Sequence, residues 1–220
     1  WDCRDHGCGC GFRWEYEPGE PMAMSWPTPL IQLTATSEDQ VANTWDVLKP
    51  MIELGPLAEV LPKVGEEFIR IGRRGRVDIV TSNARSRLGQ RVTFVLQDET
   101  GIWIPASGMV KVADTQIRGL AGMDARSAEL TNAWDPAENS VAKSTFESKA
   151  PDILKDFDQP PANLDYSKAA DRRKIHAFNY RESPWVSLEA IEATAVELID
   201  KGEVAQAERF FGSRIVAATN

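Results

Sequence analysis

Cysteine and histidine are scarce in this 220-residue chain, which holds three Cys, all between positions 3 and 10, and two His, at 6 and 176. An odd number of cysteines in one short stretch cannot form the disulfide framework of a secreted fold, so a reducing, cytoplasmic setting is expected. No apolar run approaches the ~20 residues of a bilayer-spanning helix, and the mean hydropathy is −0.34. Positive charge is also in short supply: 25 Lys and Arg face 33 Asp and Glu, for a net −8. The surface as a whole therefore repels nucleic acid and anionic membrane, and any polyanion site must be local. Internal repeats and low-complexity tracts are absent, and the residues from Trp1 onward do not read as a basic-then-apolar leader. The opening residues read as the middle of something, so the chain is expected to be part of a longer protein. What is present, 42% hydrophobic and 26% charged residues, suffices for one folded domain with an appendage.

Residues 1 to 29 carry four prolines and four glycines, punctuation too dense for a long helix or strand, and read as a loop or insertion. A β-rich run, Leu30 to Thr36, then feeds a helix expected from Glu38 to Glu53. Ser37 is its N-cap, and Val41, Trp45, Leu48 and Ile52 share one face. Residues 68–71 and 76–81 flank Gly72-Arg-Arg-Gly75 as a β-hairpin. A strand over 92–99, a helix from Pro105 to about Gly122 and a short strand over 126–133 follow. Residues 150–173 read as a loop, Lys174 to Tyr180 alternates like a strand, and two helices close the chain, from Ser187 to Asp200 and through Val216. Strands alternating with helices predict an α/β fold with a mainly parallel sheet, whose ligands sit at strand carboxyl ends.

Two features could carry chemistry. Asp98 and Glu99 end the 92–99 strand; in a nucleotide-hydrolysing fold such a pair divides magnesium binding from water activation. The plain alternative is an ordinary acidic strand end at the surface, and Thr93 and Gln97 interrupt the apolar run before it. Just upstream, residues 70–91 hold seven arginines (Arg70, Arg73, Arg74, Arg76, Arg85, Arg87, Arg91) and one acidic residue. This basic stripe can clamp a phosphate or contact DNA, or it can be a solvated hairpin paired with surplus carboxylates.

Four segments in order, Thr34-Ala-Thr-Ser-Glu-Asp-Gln40, Ser82-Asn-Ala-Arg-Ser-Arg-Leu-Gly89, Phe94-Val-Leu-Gln-Asp-Glu-Thr100 and Leu130-Thr-Asn-Ala133, resemble the ATPase domain of the large terminase subunit of tailed bacteriophages. The resemblance spans about residues 30 to 220. It implies a P-loop ATPase core of the additional-catalytic-glutamate type, truncated at its N-terminus, over 30–182, and a helical linker over 183–220. It implies ATP and Mg²⁺ as cofactors, with double-stranded DNA, a portal protein, a small terminase subunit and a homo-oligomeric ring as partners in the host cytoplasm. Residue by residue, Asp98 takes the magnesium-associated Walker B position and Glu99 the water-activating one. Thr131 and Asn132 match the coupling motif, and Arg87, with Arg85 and Arg91 as rivals, matches the arginine inserted into a neighbour's site. The chain departs from the pattern in holding no Gly-x-x-x-x-Gly-Lys-[Ser/Thr] loop, the cradle for β and γ phosphates. That loop and the nuclease domain of the family are expected outside this sequence, and the chain alone is not expected to hydrolyse ATP.

Cys3, His6, Cys8 and Cys10 offer four Zn²⁺ ligands in eight residues, at a spacing tighter than most structural sites. Reduced thiols on a surface insertion are the alternative. A non-catalytic α/β module binding nucleic acid or protein, stapled by such a zinc, is the second reading. A helicase-like ATPase is the third, disfavoured because the tail is too short for a second domain. His176 is expected to be structural, and Trp45, Trp103, Trp134 and Trp185 are expected to pack.

Overall fold

A computed structural model describes residues 27–61, 64–82 and 90–218. Five strands form one sheet: β1 (Leu30–Thr34), β2 (Phe68–Ile71), β3 (Gly75–Val80), β4 (Phe94–Asp98) and β5 (Arg126–Leu130), in the spatial order β2-β3-β1-β4-β5. β3, β1, β4 and β5 run parallel, and β2 is antiparallel to β3 through the expected hairpin. The four parallel strands therefore end together, at a carboxyl edge marked by Thr34, Val80, Asp98 and Leu130.

Helix α1 (Glu38–Glu53) begins where sequence places it, because Ser37 Oγ accepts the Gln40 amide at 3.3 Å and Glu38 and Asp39 meet the positive helix end. Its Val41, Trp45 and Ile52 pack with Leu33, Ile69 and Val77 on one face of the sheet. Helix α2 (Met109–Ala121) covers the other face, burying Met109, Val112 and Ala113 against Val80 and Trp103, and Leu120 against Val92 and Val95. The short α3 (Val141–Glu147) is capped by Ser140. Helices α4 (Ala169–Asn179), α5 (Leu188–Asp200) and α6 (Val204–Gly212) pack together around Tyr166, Ile175 and Ala207. The expected boundary at 182/183 falls inside this unit, between α4 and α5.

Several expectations are corrected. Lys174 to Tyr180 is not a strand: residues 169–179 form α4. Arg172, Ile175 and His176 are its buried residues, an i, i+3, i+4 spacing that a seven-residue window of alternation hides. The last helix stops at Gly212 because Ser213 turns left-handed, at φ 53. Trp45, Trp103 and Trp134 are buried, but Trp185 is 80% exposed. Among the described residues no helix is long and apolar enough to cross a membrane.

Candidate functional site

Asp98 is the last residue of β4. Alternation puts Leu96 and Asp98 on the α1 face, where Asp98 borders a small cavity with Leu33, Ala35, Val41 and Thr44. Desolvation by this surround raises its carboxyl above the usual aspartate range, against a hydrogen bond from the Glu99 backbone. Glu99 then leaves the strand in a left-handed conformation, φ 60, which costs a non-glycine residue on the order of 1 kcal/mol or more. Its amide donates to Leu130 O at 2.8 Å, so the turn is pinned to the end of β5. The Glu99 carboxyl is also raised, first by desolvation and then by the charge of Asp98, against hydrogen bonds from Asn132. Neither carboxylate forms an ion pair with a described residue.

Thr131 and Asn132, the two residues after β5, reach this turn directly. Asn132 Nδ2 donates to Glu99 Oε1 at 3.3 Å. Thr131 Oγ1 accepts the Gly101 amide at 2.8 Å and donates to Asn132 O at 2.8 Å. Gly101 is fixed by this approach, since a Cβ there would lie 2.6 Å from Thr131 Oγ1. The two loops border a cleft of about 220 Å³ whose walls include Glu99, Asn132, Asp135 and Glu138 and, from α6, Gln206 and Arg209. Asp135 ties the segment after β5 to the tail: its Oδ2 accepts from Arg209 Nη1 at 3.3 Å and from the Ala218 amide at 2.9 Å. Although burial opposes it, the amides of Ala137 and Ala218 and the charges of Arg209 and Lys143 hold the Asp135 carboxyl below the usual range.

The polar interruptions of β4 support the site rather than weaken it. Gln97 Nε2 donates to Gln116 Oε1 at 3.0 Å, and Gln116 Nε2 donates to Gln32 Oε1 at 2.9 Å and Thr34 Oγ1 at 2.8 Å. This buried network ties β4, α2 and β1 just beneath Asp98. Thr93 Oγ1 both accepts from Leu30 N and donates to Leu30 O, at 3.0 and 2.9 Å, pinning the other end of β4.

Of the residues read from sequence, Asp98, Glu99, Thr131 and Asn132 come together. The described arginines of the basic stripe, Arg70, Arg73, Arg74, Arg76 and Arg91, do not join them as expected. The hairpin tip and Arg91 lie at the opposite, amino edge, because β3 begins where the tip ends and β4 runs away from Arg91 toward Asp98. The five residues of β4, about 17 Å of strand, separate Arg91 from the Asp98 edge. Arg76 is spent on Asp78, at 2.8 Å. Arg85, Arg87 and the Cys3, His6, Cys8, Cys10 cluster lie outside the described residues. His176 is buried and bonds Tyr166 Oη at 2.9 Å. Gly101, Gln116 and Asp135 were not singled out from sequence. Their roles rest on contacts with residues 30, 82 or 84, and 74 or 83 positions away, and no local pattern announces those.

The fold and its edge define an α/β protein whose candidate site lies at the carboxyl ends of parallel strands. More particularly, the fold is that of a bacteriophage large terminase. The large terminase of bacteriophage HK97 superposes with a TM-score of 0.65 at 14% identity, over 86% of this chain and 40% of that one. The large terminase ATPase domain of Thermus phage P74-26 gives 0.49 at 12% identity, over 86% of this chain and 78% of that one. The Gene 13 proteins of Mycobacterium phages L5 and D29 are each 28% identical over 137 and 138 residues, 59% of this chain. That stretch is 22% and 23% of their lengths, so the chain spans only a small part of these relatives. No protein-family model matches the chain.

Proposed function

We propose that this chain is the part of a large terminase that carries the water-activating carboxylates of an ATP-driven motor, which moves double-stranded viral DNA into a procapsid. One observation carries this reading: two adjacent, partly desolvated carboxylates at a parallel strand end, each raised by its surroundings and neither paired with a described cation. A divalent cation would relieve that arrangement. Among the described residues no three His, Cys, Asp or Glu side chains cluster to hold a metal. Mg²⁺ needs no such cluster, because it binds through one or two carboxylates and fills its shell with water and phosphate oxygens. When bound, Mg²⁺ neutralises charge on the phosphate oxygens.

Asp98 is the protein ligand of that ion. Glu99 orients the attacking water and takes its proton, a task for which a raised carboxyl is better matched to neutral pH than an ordinary one. Asn132 holds Glu99 Oε1 in place, and Thr131 locks the loop that presents Asn132, so the pair reports the state of the carboxylate to the rest of the chain. Arg87 is assigned to a neighbouring subunit's site in a ring. The phosphate cradle is not in this sequence. β5 is the outer strand of the described sheet, the position at which a further strand that brings the cradle would pair. Portal protein, small terminase subunit and DNA are the partners of this motor in the host cytoplasm. The test is Mg²⁺-dependent phosphate release by the full-length protein. Asp98→Asn is expected to lower turnover by about 100-fold or more; turnover within fivefold of wild type would sink the reading.

A further inference from the structure

The arginines that the fold carries away from the carboxylates gather at the amino edge of the sheet. Arg73 and Arg74 stand exposed at the apex of the β2–β3 hairpin. That apex is firmly built: Gly72 takes φ 54, and Gly75 lies so close to Pro29 that a Cβ would meet its Cγ at 2.4 Å. Along the same edge, exposed Arg91 precedes β4, and exposed Arg126 opens β5. Arg118, in the last turn of α2, joins them, because Gly119 abuts the carbonyl of Gln90. From β3 to β5 the row crosses three strand spacings, about 14 Å.

Local partners account for only part of this charge. Arg76 pairs with Asp78 at 2.8 Å and Arg126 with Asp124 at 3.1 Å. Arg118 bonds Thr115 Oγ1 and answers the negative end of α2. Arg73, Arg74 and Arg91 form no ion pair with a described residue, in a chain whose net charge is −8. Unneutralised guanidiniums held on a rigid edge of an otherwise acidic protein complement a linear array of phosphates. Arginine's planar fork also matches phosphate oxygens in pairs.

We propose that this amino edge is a docking surface for the sugar-phosphate backbone of double-stranded DNA, with Arg73, Arg74 and Arg91 as its principal contacts. The proposal rests on the motor reading above and adds which surface meets the duplex: not the carboxylate edge but the opposite one, so that nucleotide chemistry and DNA grip sit at the two ends of the same strands. Recognition through phosphates carries no sequence information, which suits a protein that must handle every stretch of a genome.

The experiment is fluorescence anisotropy of a 30-bp duplex of arbitrary sequence with the full-length protein, titrated across salt, beside basal ATP turnover. Arg73→Ala/Arg74→Ala should weaken binding roughly 10- to 60-fold at 0.1 M salt and reduce the salt slope by about 2, one for each phosphate that is no longer neutralised. Arg91→Ala should take a further step in the same direction. Basal turnover of the Arg73→Ala/Arg74→Ala variant should stay at the wild-type level, and Lys201→Ala, the loss of one positive charge on the helical tail, should leave the slope unchanged. Asp98→Asn should lose turnover and keep DNA binding, so failure of the edge and failure of the carboxylate site read out separately. An unchanged slope in the double variant overturns the proposal. So does unchanged duplex binding with weakened subunit association, which would assign the edge to a protein interface.

Discussion

Replacing Gly101 by alanine puts a methyl group where Thr131 and Asn132 already sit. An ideal Cβ at Gly101 lies 2.6 Å from Thr131 Oγ1 and 3.2 Å from the Asn132 carbonyl, both tighter than ordinary contact. Thr131 Oγ1 cannot simply rotate away, because it accepts from the Gly101 amide and donates to Asn132 O, each at 2.8 Å. Relieving the clash therefore breaks one or both bonds. Overpacking of this kind costs about 1–3 kcal/mol and each broken hydrogen bond about 1 kcal/mol, so Gly101→Ala should destabilise by about 2–4 kcal/mol. The cause is separable from a general loss of packing. In a Thr131→Ala background the offending oxygen is gone, and Gly101→Ala should then cost about 1 kcal/mol, leaving a favourable coupling of about 1–3 kcal/mol between the substitutions. Urea unfolding at constant m-value reads all four corners of the cycle. A Gly101→Ala variant within about 0.5 kcal/mol of wild type, or strictly additive effects, would refute the claim that this contact positions Thr131 and Asn132.

Three other outcomes follow from the same geometry. The Glu99 carboxyl is raised, and catalysis needs its ionised form, so turnover should fall on acidification at a pH above the ordinary glutamate range. The limb should move to lower pH in Asp98→Asn, whatever its residual rate, and an unmoved limb would show that the two carboxylates do not interact. Asp98 and Glu99 bind protons more readily folded than unfolded, so their contribution to stability is present at low pH and lost as pH rises through the folded values. Asp98→Asn should accordingly raise the Tm at pH 7.5 while Mg²⁺ raises only that of the wild type; a lower Tm for the variant contradicts this. His176 is lowered by burial despite Glu192, so the stability it confers should decline as pH falls below about 6.5. The change between pH 8 and 5.5 in the urea midpoint should shrink in His176→Gln, and an equal change in both proteins would rule the residue out. Separately, Arg172→Met removes the bonds that hold the Glu192 carboxylate at 2.7 and 3.2 Å but leaves it Arg173 at 3.9 Å and His176 Nδ1 at 3.3 Å, so urea unfolding should show a loss of about 3 kcal/mol.

Much of the fold was legible because its local signals are strong. Ser37 with Glu38 and Asp39, and Ser187 before Leu188, start helices by capping chemistry that depends on a few adjacent residues. The hairpin was marked by Gly72, which the turn needs at positive φ. The carboxylate pair was legible for a similar reason, since strand ends and acidic dipeptides are both local. What failed was non-local or masked by a short window. Lys174 to Tyr180 alternates over seven residues, yet the helical face that buries Arg172, Ile175 and His176 emerges only when residues before Lys174 are included. The described arginines of the stripe, Arg91 and the hairpin tip among them, adjoined the carboxylates in sequence but not in space, because a strand carries its two ends to opposite edges. Gln97 read as a flaw in an apolar strand, and its explanation, the bond to Gln116 on α2, exists only once the helix is folded onto the sheet.

Glu99 bears the central claim, and its most direct measurement is single-turnover ATP hydrolysis by the full-length protein carrying Glu99→Gln, run beside equilibrium nucleotide binding. The substitution keeps shape and hydrogen-bonding reach to Asn132 while removing the base. Binding within about threefold of wild type with hydrolysis slowed about 100-fold or more is the result expected of a water-activating carboxylate. Hydrolysis at a near wild-type rate would contradict the account and leave Asp98 and Glu99 an ordinary acidic strand end.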